Sequence, residues 1–249
     1  MSSNNIRQAR ERFDSELHTD QYRKIHSDDK HLSRLIDVMN IQSDGSYLDL
    51  GTGNGYVAFA LAEKYKKIRF TGLDIAVNSI EKNLETAIER KLNNIDFTGY
   101  DGEEFPFEDS VFDGIVSRYA FHHFPDPEKS IKEIKRVLKR GGSFLLSDPL
   151  TFEDDRVGFI DRYQKLKEDG HYHFYYEKEI VQLFRKFGFN KESVFYTEVT
   201  YPRGRDKRYD ELLDKVNRSV SDLYRVDVRG EEIFITVKVM NIRFLKQQG

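Results

Sequence analysis

Residues 47–56 read YLDLGTGNGY and place the glycines Gly51, Gly53 and Gly55 just after an acid, Asp49. A short apolar run precedes the glycines and the run VAFALA follows them, which predicts a strand, a tight turn and a helix. The loop is therefore expected at the carboxyl end of a strand, where open α/β sheets bind their ligands.

The acid decides which ligand suits this loop. A helix N-terminus attracts phosphate through its free N–H groups, but Asp49 would repel a pyrophosphate. A dinucleotide fingerprint GxGxxG would also need glycine at position 56, where Tyr56 stands. A ligand that carries an ammonium group as well as a carboxylate fits this loop better than a pyrophosphate does. The sequence therefore predicts a ligand that resembles an amino acid. Asp74, at the end of the second predicted strand, is where such folds bind ribose hydroxyls.

Histidines are the candidates for proton transfer. The chain has no cysteine, which excludes disulfides, zinc–thiolate sites and thiol catalysis. His122 and His123 follow the fourth predicted strand, and an imidazole with an unperturbed pKa of about 6.5 suits a base near neutrality. The alternative is that this doublet only caps or orients its loop.

A second cluster reads HYHFYY and begins at His171, with His173 two residues later. Aromatic rings with polar tips suit the wall of a pocket for a flat or amphipathic substrate. They suit the packing of an extra helix equally well. The other histidines, His18, His26 and His31, have no carboxylates at ligand spacing, so no metal is predicted.

An alternating series of strands and helices must position these groups. Strands are predicted at 46–50, 68–74, 95–98, 111–117 and 143–147, and helices at 57–65, 77–91 and 127–139. Crossover units of this kind form a parallel sheet covered on both faces. The last strand lies within EEIFITVKVMNIRFL, and its alternation predicts an antiparallel partner.

Composition excludes several classes of protein. The net charge is -3 with a pI near 6.2, and the basic residues are scattered among acids, which argues against nucleic-acid partners and anionic membranes. No run approaches the roughly 20 apolar residues of a membrane span. The N-terminus lacks the apolar region of a secretory signal. We therefore predict a cytoplasmic protein, as a monomer or homodimer, with a small-molecule substrate.

Four motifs then occur in a fixed order over residues 45–148: YLDLGTGNG, TGLDIA, YDGEEFPFEDSVFDGIVSRYAFHHFPDP and EIKRVLKRGGSFLLSD. With them the chain resembles the class I S-adenosylmethionine-dependent methyltransferases, in particular the ubiquinone and menaquinone biosynthesis C-methyltransferases. The resemblance implies an α/β fold: a Rossmann-like, doubly wound, mostly parallel sheet of seven strands with an antiparallel last strand. It also implies S-adenosylmethionine as cofactor and transfer of its methyl group to a small molecule by SN2 displacement.

The family's roles at the methionine end fall on matching positions of this chain. The loop residues Gly51, Thr52, Gly53 and Gly55 would let the backbone approach the methionine, with Asp49 near its ammonium group. Ser117 and Arg118 would border the same end, although Arg118 could instead pair with a neighbouring acid.

The nucleoside end has its own matching positions. By resemblance, Asp74 would accept both ribose hydroxyls and Ile75 would lie against adenine. Asp101 would accept from the adenine amino group, and the Gly102 amide would meet a ring nitrogen. The alternative for Asp101 is a purely local role as a turn former.

The chain divides, within one methyltransferase domain of residues 1–249, into three parts. Residues 1–45 carry Leu32, Leu35, Ile36 and Met39 at helical spacing and are predicted to form a lid over the carboxyl edge, with Tyr22 facing the substrate. A helix packed on a sheet face would show the same spacing. Residues 46–148 form the cofactor-binding core, and residues 149–249 supply a substrate-side insertion with strands six and seven.

Two other classes of function stay open. The first is a protein of this fold that binds S-adenosylmethionine without transferring a methyl group. The second is a methyltransferase of RNA or protein. The scattered charge argues against RNA, and RYAF stands after strand four where base-modifying enzymes carry [DNS]-P-P-[YFW].

Overall fold

A computed structural model of the chain describes residues 2–19 and 27–247. Its helices are α1 (Ser2–Glu16), α2 (Asp29–Met39), α3 (Tyr56–Lys64), α4 (Val77–Glu89), α5 (Pro127–Val137), α6 (Phe159–Lys165), α7 (Glu177–Lys186), α8 (Lys207–Leu213) and α9 (Arg218–Leu223). Its strands are β1 (Ser46–Leu50), β2 (Arg69–Asp74), β3 (Ile95–Gly99), β4 (Phe112–Arg118), β5 (Leu138–Pro149), β6 (Phe189–Gly204), β7 (Asp227–Arg229) and β8 (Glu232–Lys246). A 3₁₀ turn, Phe121–His123, follows β4.

One mixed sheet has the strand order β3-β2-β1-β4-β5-β8-β6, and β7 pairs with β8. The pairings among β1 to β5 are all parallel. β8 runs antiparallel to both of its long neighbours, β5 and β6. The predicted fold class, a Rossmann-like, mostly parallel sheet with an antiparallel last strand, is confirmed.

The sheet has eight strands in the described residues, where the sequence predicted seven. The additional strand is β7, whose residues Asp227 to Arg229 are all exposed. It turns back into β8 through Gly230, which has a φ of 59°. Three exposed residues produce no apolar alternation, so the hydrophobic pattern could not show this strand.

Helices cover both faces of the sheet, and α5 shows how the sequence sets them. Asp126 caps its N-terminus by accepting from the Lys129 amide at 2.9 Å, and Pro127 occupies the first turn. Its apolar side chains Ile131, Ile134 and Val137 are fully buried. None of the described helices is long and apolar enough to cross a membrane.

The two N-terminal helices take different positions. The stripe of α2 is buried in the cluster that contains Tyr47 of β1 and Leu145 of β5, so this helix packs on a sheet face. α1 ends instead beside the glycine loop, where the Asn54 side chain donates to the Leu17 carbonyl at 3.0 Å. The stripe that suggested a lid therefore belongs to a helix on the sheet, and α1 is the segment that borders the loop. Tyr22 lies outside the described residues.

Candidate active site

The strand order reverses between β1 and β4, which lie side by side. A ligand crevice is expected outside the carboxyl ends of the strands at such a point. A cavity lies there, with about 970 Å³ of space not filled by atoms, including its open mouth. We call it the glycine-loop cavity. The predicted site residues that line it are Asp49, Gly51, Thr52, Gly53, Asp74, Ile75, Gly102, Arg118 and His123.

Backbone conformation explains the glycines of the loop. Gly51, Gly53 and Gly55 have φ values of 73°, 52° and 76°, a region that favours glycine. A Cβ at Gly51 would also come within 2.3 Å of the Ala120 Cβ. Gly55 is the N-cap of α3 and is not among the residues that line the cavity. Its contribution is therefore the turn, whereas Gly51 and Gly53 also form the wall.

Asp49 lies beneath the loop and is 4% exposed. Its Oδ2 accepts from the Thr52 hydroxyl at 2.8 Å and from the Ala58 amide at 3.2 Å. Burial raises the pKa of Asp49 to about 7. Both donors use one oxygen, so Oδ1 is the atom left for a ligand among these contacts. A cation placed there would favour the ionised carboxylate.

Asp74 ends β2 and faces the same cavity. Its two oxygens accept from the Gly53 amide at 2.7 Å and the Ala76 amide at 2.9 Å. Burial raises the pKa of this carboxyl as well. A carboxylate has about four lone-pair positions, so Asp74 can accept from a ligand hydroxyl while it still accepts from the Gly53 amide.

Of the two residues predicted to contact adenine, Asp101 and Gly102, only Gly102 lines the cavity. Gly102, with a φ of 92°, lines the cavity. Asp101 is exposed and is not among the lining residues. Its Oδ1 accepts from the amides of Glu103 and Glu104, which holds the pKa of Asp101 below its usual range. Its contact with adenine stays a prediction, and in the structure the carboxylate caps a turn.

Ser117 and Arg118 end β4. Ser117 is fully buried and does not line the cavity. Arg118 does line it, and its guanidinium lies over two aromatic rings, 5.1 Å from the Tyr56 centroid and 4.1 Å from the Tyr119 centroid. A cation held by aromatic faces keeps a defined position. Arg118 thus gives this wall of the cavity a fixed positive charge.

The histidine doublet is built around a buried acid, Asp148. His122 shares a 2.8 Å hydrogen bond between its Nδ1 and Asp148 Oδ1, and its backbone N–H donates to Oδ2 at 2.9 Å. Burial raises the pKa of Asp148 to about 8 and lowers the pKa of His122 well below its usual value. The pair therefore favours its uncharged forms, and the ring of His122 is fixed in place.

His123 is the member of the doublet that reaches the glycine-loop cavity. Its ring centroid lies 4.1 Å from that of His122 and 4.9 Å from that of Phe13 on α1. Its Nδ1 is buried and has no hydrogen-bond partner among the described residues. Burial, together with His122, lowers the pKa of His123 well below its usual value. A neutral imidazole with an unused nitrogen is thus available at neutral pH.

A second, smaller cavity adjoins the first at Phe13, Tyr119 and His123, which line both. Its space not filled by atoms is about 400 Å³, including its opening. We call it the polar cavity. Its polar lining consists of His122, His123, Gln164, Lys167, Asp169, His171 and Arg203.

The two histidines of the aromatic segment lie at different sites. His171 lines the polar cavity, and its Nε2 lies 2.8 Å from Asp161. His173 lines a separate surface groove and contacts Asp161 and Glu179. Burial lowers the pKa of His173, but these two carboxylates outweigh it and the net pKa is raised. Within residues 2–19 and 27–247, no group of three or more His, Asp or Glu side chains is placed to hold a metal ion.

A family model described as a methyltransferase domain matches residues 41–191. This chain belongs to that family. The methyltransferase YcgJ of Bacillus subtilis, named as uncharacterized, is 31% identical over 158 residues, which are 63% of this chain and 61% of YcgJ. Its crystal structure aligns with a TM-score of 0.77 at 24% identity over 89% of this chain and all of that chain. The predicted resemblance to class I methyltransferases is confirmed.

Two further proteins are similar to this chain, one in sequence and one in fold. The ubiquinone/menaquinone biosynthesis C-methyltransferase UbiE of Rhizobium rhizogenes is 33% identical over 132 residues, 51% of this chain and 50% of that protein. The [4+2]-cyclase SpnF aligns with a TM-score of 0.62 at 20% identity over 89% of this chain and 81% of that chain, which shows the fold alone. The sequence matches to YcgJ and UbiE span 61% and 50% of those proteins.

Proposed function

We propose that this protein transfers the methyl group of S-adenosylmethionine to a small-molecule acceptor by SN2 displacement. The observation that carries the proposal is the pair of buried acids, Asp49 and Asp74, which the glycine loop brings to one cavity at the switch point of the sheet. Family membership and the named activity of UbiE support it.

The residues present fit this cofactor. Asp74 offers lone pairs for the ribose hydroxyls, and Asp49 offers Oδ1 for the ammonium group of the methionine. Ile75 and Gly102 also line the cavity, and adenine would lie against them. Asp49, which lies beneath the glycine loop, would repel the pyrophosphate of a dinucleotide, which argues against NAD.

The chemistry of transfer comes from the cofactor, whose sulfonium already activates the methyl group. The chain has to align the acceptor and exclude water, and orientation alone can lower a barrier by up to about 7–11 kcal/mol. Phe13, Tyr119 and His123, shared by both cavities, mark where acceptor and cofactor meet. His123, which lines both cavities there, would take a proton from the acceptor, and Asp148 holds the neighbouring ring of His122 in place.

Methyl-labelled S-adenosylmethionine tests this proposal directly. The purified protein is incubated with the labelled cofactor and with small-molecule and macromolecular fractions of a cell extract. We expect the label in the small-molecule fraction, with S-adenosylhomocysteine as the second product. Label in RNA or protein would contradict the choice of acceptor, and cofactor binding without transfer to any fraction would contradict catalysis.

Binding of S-adenosylhomocysteine at pH 7 is expected to release a proton from Asp49. Burial raises its pKa to about 7, so the carboxyl is partly protonated there, and a ligand ammonium group favours the ionised form. Affinity should therefore rise between pH 6 and pH 8. Calorimetry in two buffers of different ionisation enthalpy measures the release. Asp49→Asn should reduce it and Asp101→Asn should not; equal release from all three proteins would refute this role of Asp49.

α1 is expected to become more ordered when ligand binds, as a lid would. Its residues Ile6, Ala9 and Phe13 line the cavity, whereas the stripe of α2 is packed on the sheet. Hydrogen exchange should therefore slow in residues 6–17 on addition of S-adenosylhomocysteine and stay unchanged in residues 29–39. Unchanged exchange in residues 6–17, or equal slowing in both helices, would count against a lid.

A further inference from the structure

The polar cavity contains buried hydrogen-bond donors that the described part of the chain leaves unpaired. Nε2 of Gln164 and Nε of Arg203 are both buried without a partner there. Gln164 as a whole is 5% exposed. A buried donor without a partner is unfavourable, so two such donors at one cavity point to a ligand with acceptor oxygens.

Local contacts fix the direction of these donors. Arg203 donates through Nη2 to Gln164 Oε1 at 3.2 Å and through Nη1 to the Pro202 carbonyl at 3.0 Å. The amide oxygen of Gln164 is thus used by Arg203, which leaves its NH₂ group for another acceptor. The Nε–H of Arg203 is among the guanidinium donors that these contacts do not use.

Charge indicates the kind of acceptor. Lys167 pairs with Asp169 at 2.9 Å and also lies 3.6 Å from Glu16 on α1. The contacts of Arg203 are with a carbonyl, an amide and the ring of Tyr201, and they include no carboxylate among the described residues. A partly buried guanidinium without a counter-ion is unfavourable. An anionic oxygen group would satisfy both the charge and the donors.

We propose that the polar cavity binds the carboxylate of the methyl acceptor through the Gln164 amide and the Arg203 guanidinium, so that the substrate is a small organic acid. This rests on the proposed methyl transfer. The acid would extend from Arg203 to the junction at Phe13, Tyr119 and His123, where its nucleophilic atom meets the methyl group. A neutral carbonyl compound could accept from the donors but would leave the charge of Arg203 uncompensated.

Matched pairs of acids and amides test the proposal. The protein is saturated with S-adenosylhomocysteine and titrated with acetate, benzoate and phenylacetate, and separately with acetamide, benzamide and phenylacetamide, by ligand-observed NMR. We expect at least one acid to bind tenfold or more tightly than its own amide. Both members of a pair share size and shape, so the difference reports the charge.

Three variants locate the binding. Arg203→Met and Gln164→Glu should each weaken that acid by tenfold or more, because the first removes the cation and the second places a carboxylate beside it. Gln164→Glu keeps the side-chain volume and an oxygen for Arg203, so it should fold even if Arg203→Met does not. Arg205→Met is the matched control, since Arg205 is exposed and paired with Asp210, and it should bind the acid like the parent protein.

Each result separates this proposal from the methyltransferase proposal. If S-adenosylhomocysteine binds but no acid does, or acids and amides bind alike, or Gln164→Glu leaves acid binding unchanged, the carboxylate site is refuted and methyl transfer still stands. If S-adenosylhomocysteine itself fails to bind, the methyltransferase proposal fails instead.

Discussion

His123→Ala should lower kcat by about 10²–10⁴-fold while the affinity for S-adenosylmethionine stays nearly unchanged. The residue lines both cavities and carries a buried Nδ1 without a partner among the described residues. An acceptor that must lose a proton, such as a phenol, an amine or an activated carbon, would lose it to the imidazole of His123. The assay is single-turnover methyl transfer, so that product release does not hide the chemical step.

His122→Ala is the matched control, because this ring acts through its neighbour. The kcat of His122→Ala should fall far less than that of His123→Ala. The kcat of Asp148→Asn should fall by about as much as that of His122→Ala. The acid limb of the rate profile should lie below pH 6.5, since burial lowers the pKa of the doublet and the imidazole must be neutral to accept. If neither histidine variant changes kcat by more than a few-fold and both keep the acid limb, the doublet is structural.

Asp74→Ala should weaken the binding of S-adenosylmethionine and S-adenosylhomocysteine by about 1.5–3 kcal/mol, which is roughly a 10- to 150-fold loss. The substitution removes the carboxylate expected to accept both ribose hydroxyls. It also removes the acceptor of the Gly53 amide, so the glycine loop loses a hydrogen bond to β2. Thermal unfolding measured beside calorimetry separates the loss of stability from the loss of ligand contacts.

Asp101→Ala is the informative comparison for the nucleoside end. In the structure this carboxylate is exposed and caps a turn, so its removal should weaken binding by less than Asp74→Ala does. An equal loss in the two variants would show that Asp101 reaches adenine in the complex. Unchanged affinity in Asp74→Ala would refute the ribose contact.

The acids of the cofactor site could be predicted because sequence position and sheet position coincide there. Asp49 stands at the end of β1 and Asp74 ends β2, and the carboxyl ends of neighbouring parallel strands meet at one edge. An apolar run followed by glycine or an acid therefore locates both the strand and the site. The capping of α5 by Asp126 and Pro127 was predictable for a similar local reason.

Other features depend on tertiary contacts that spacing does not encode. The stripe of α2 is equally compatible with a lid and with a sheet face, and packing against Tyr47 and Leu145 decides between them. The Asp101 carboxylate accepts hydrogen bonds from the amides of Glu103 and Glu104 in its own turn. Gln164 and Arg203 come from α6 and β6 and meet only because the fold brings these segments together, so no motif links them.

The most direct test of the account is a calorimetric titration of the purified protein with S-adenosylhomocysteine and, separately, with NAD. The glycine-loop cavity, with Asp49 and Asp74 on its wall, predicts micromolar binding of S-adenosylhomocysteine and no binding of NAD. Tight binding of NAD, or no binding of S-adenosylhomocysteine, would contradict it.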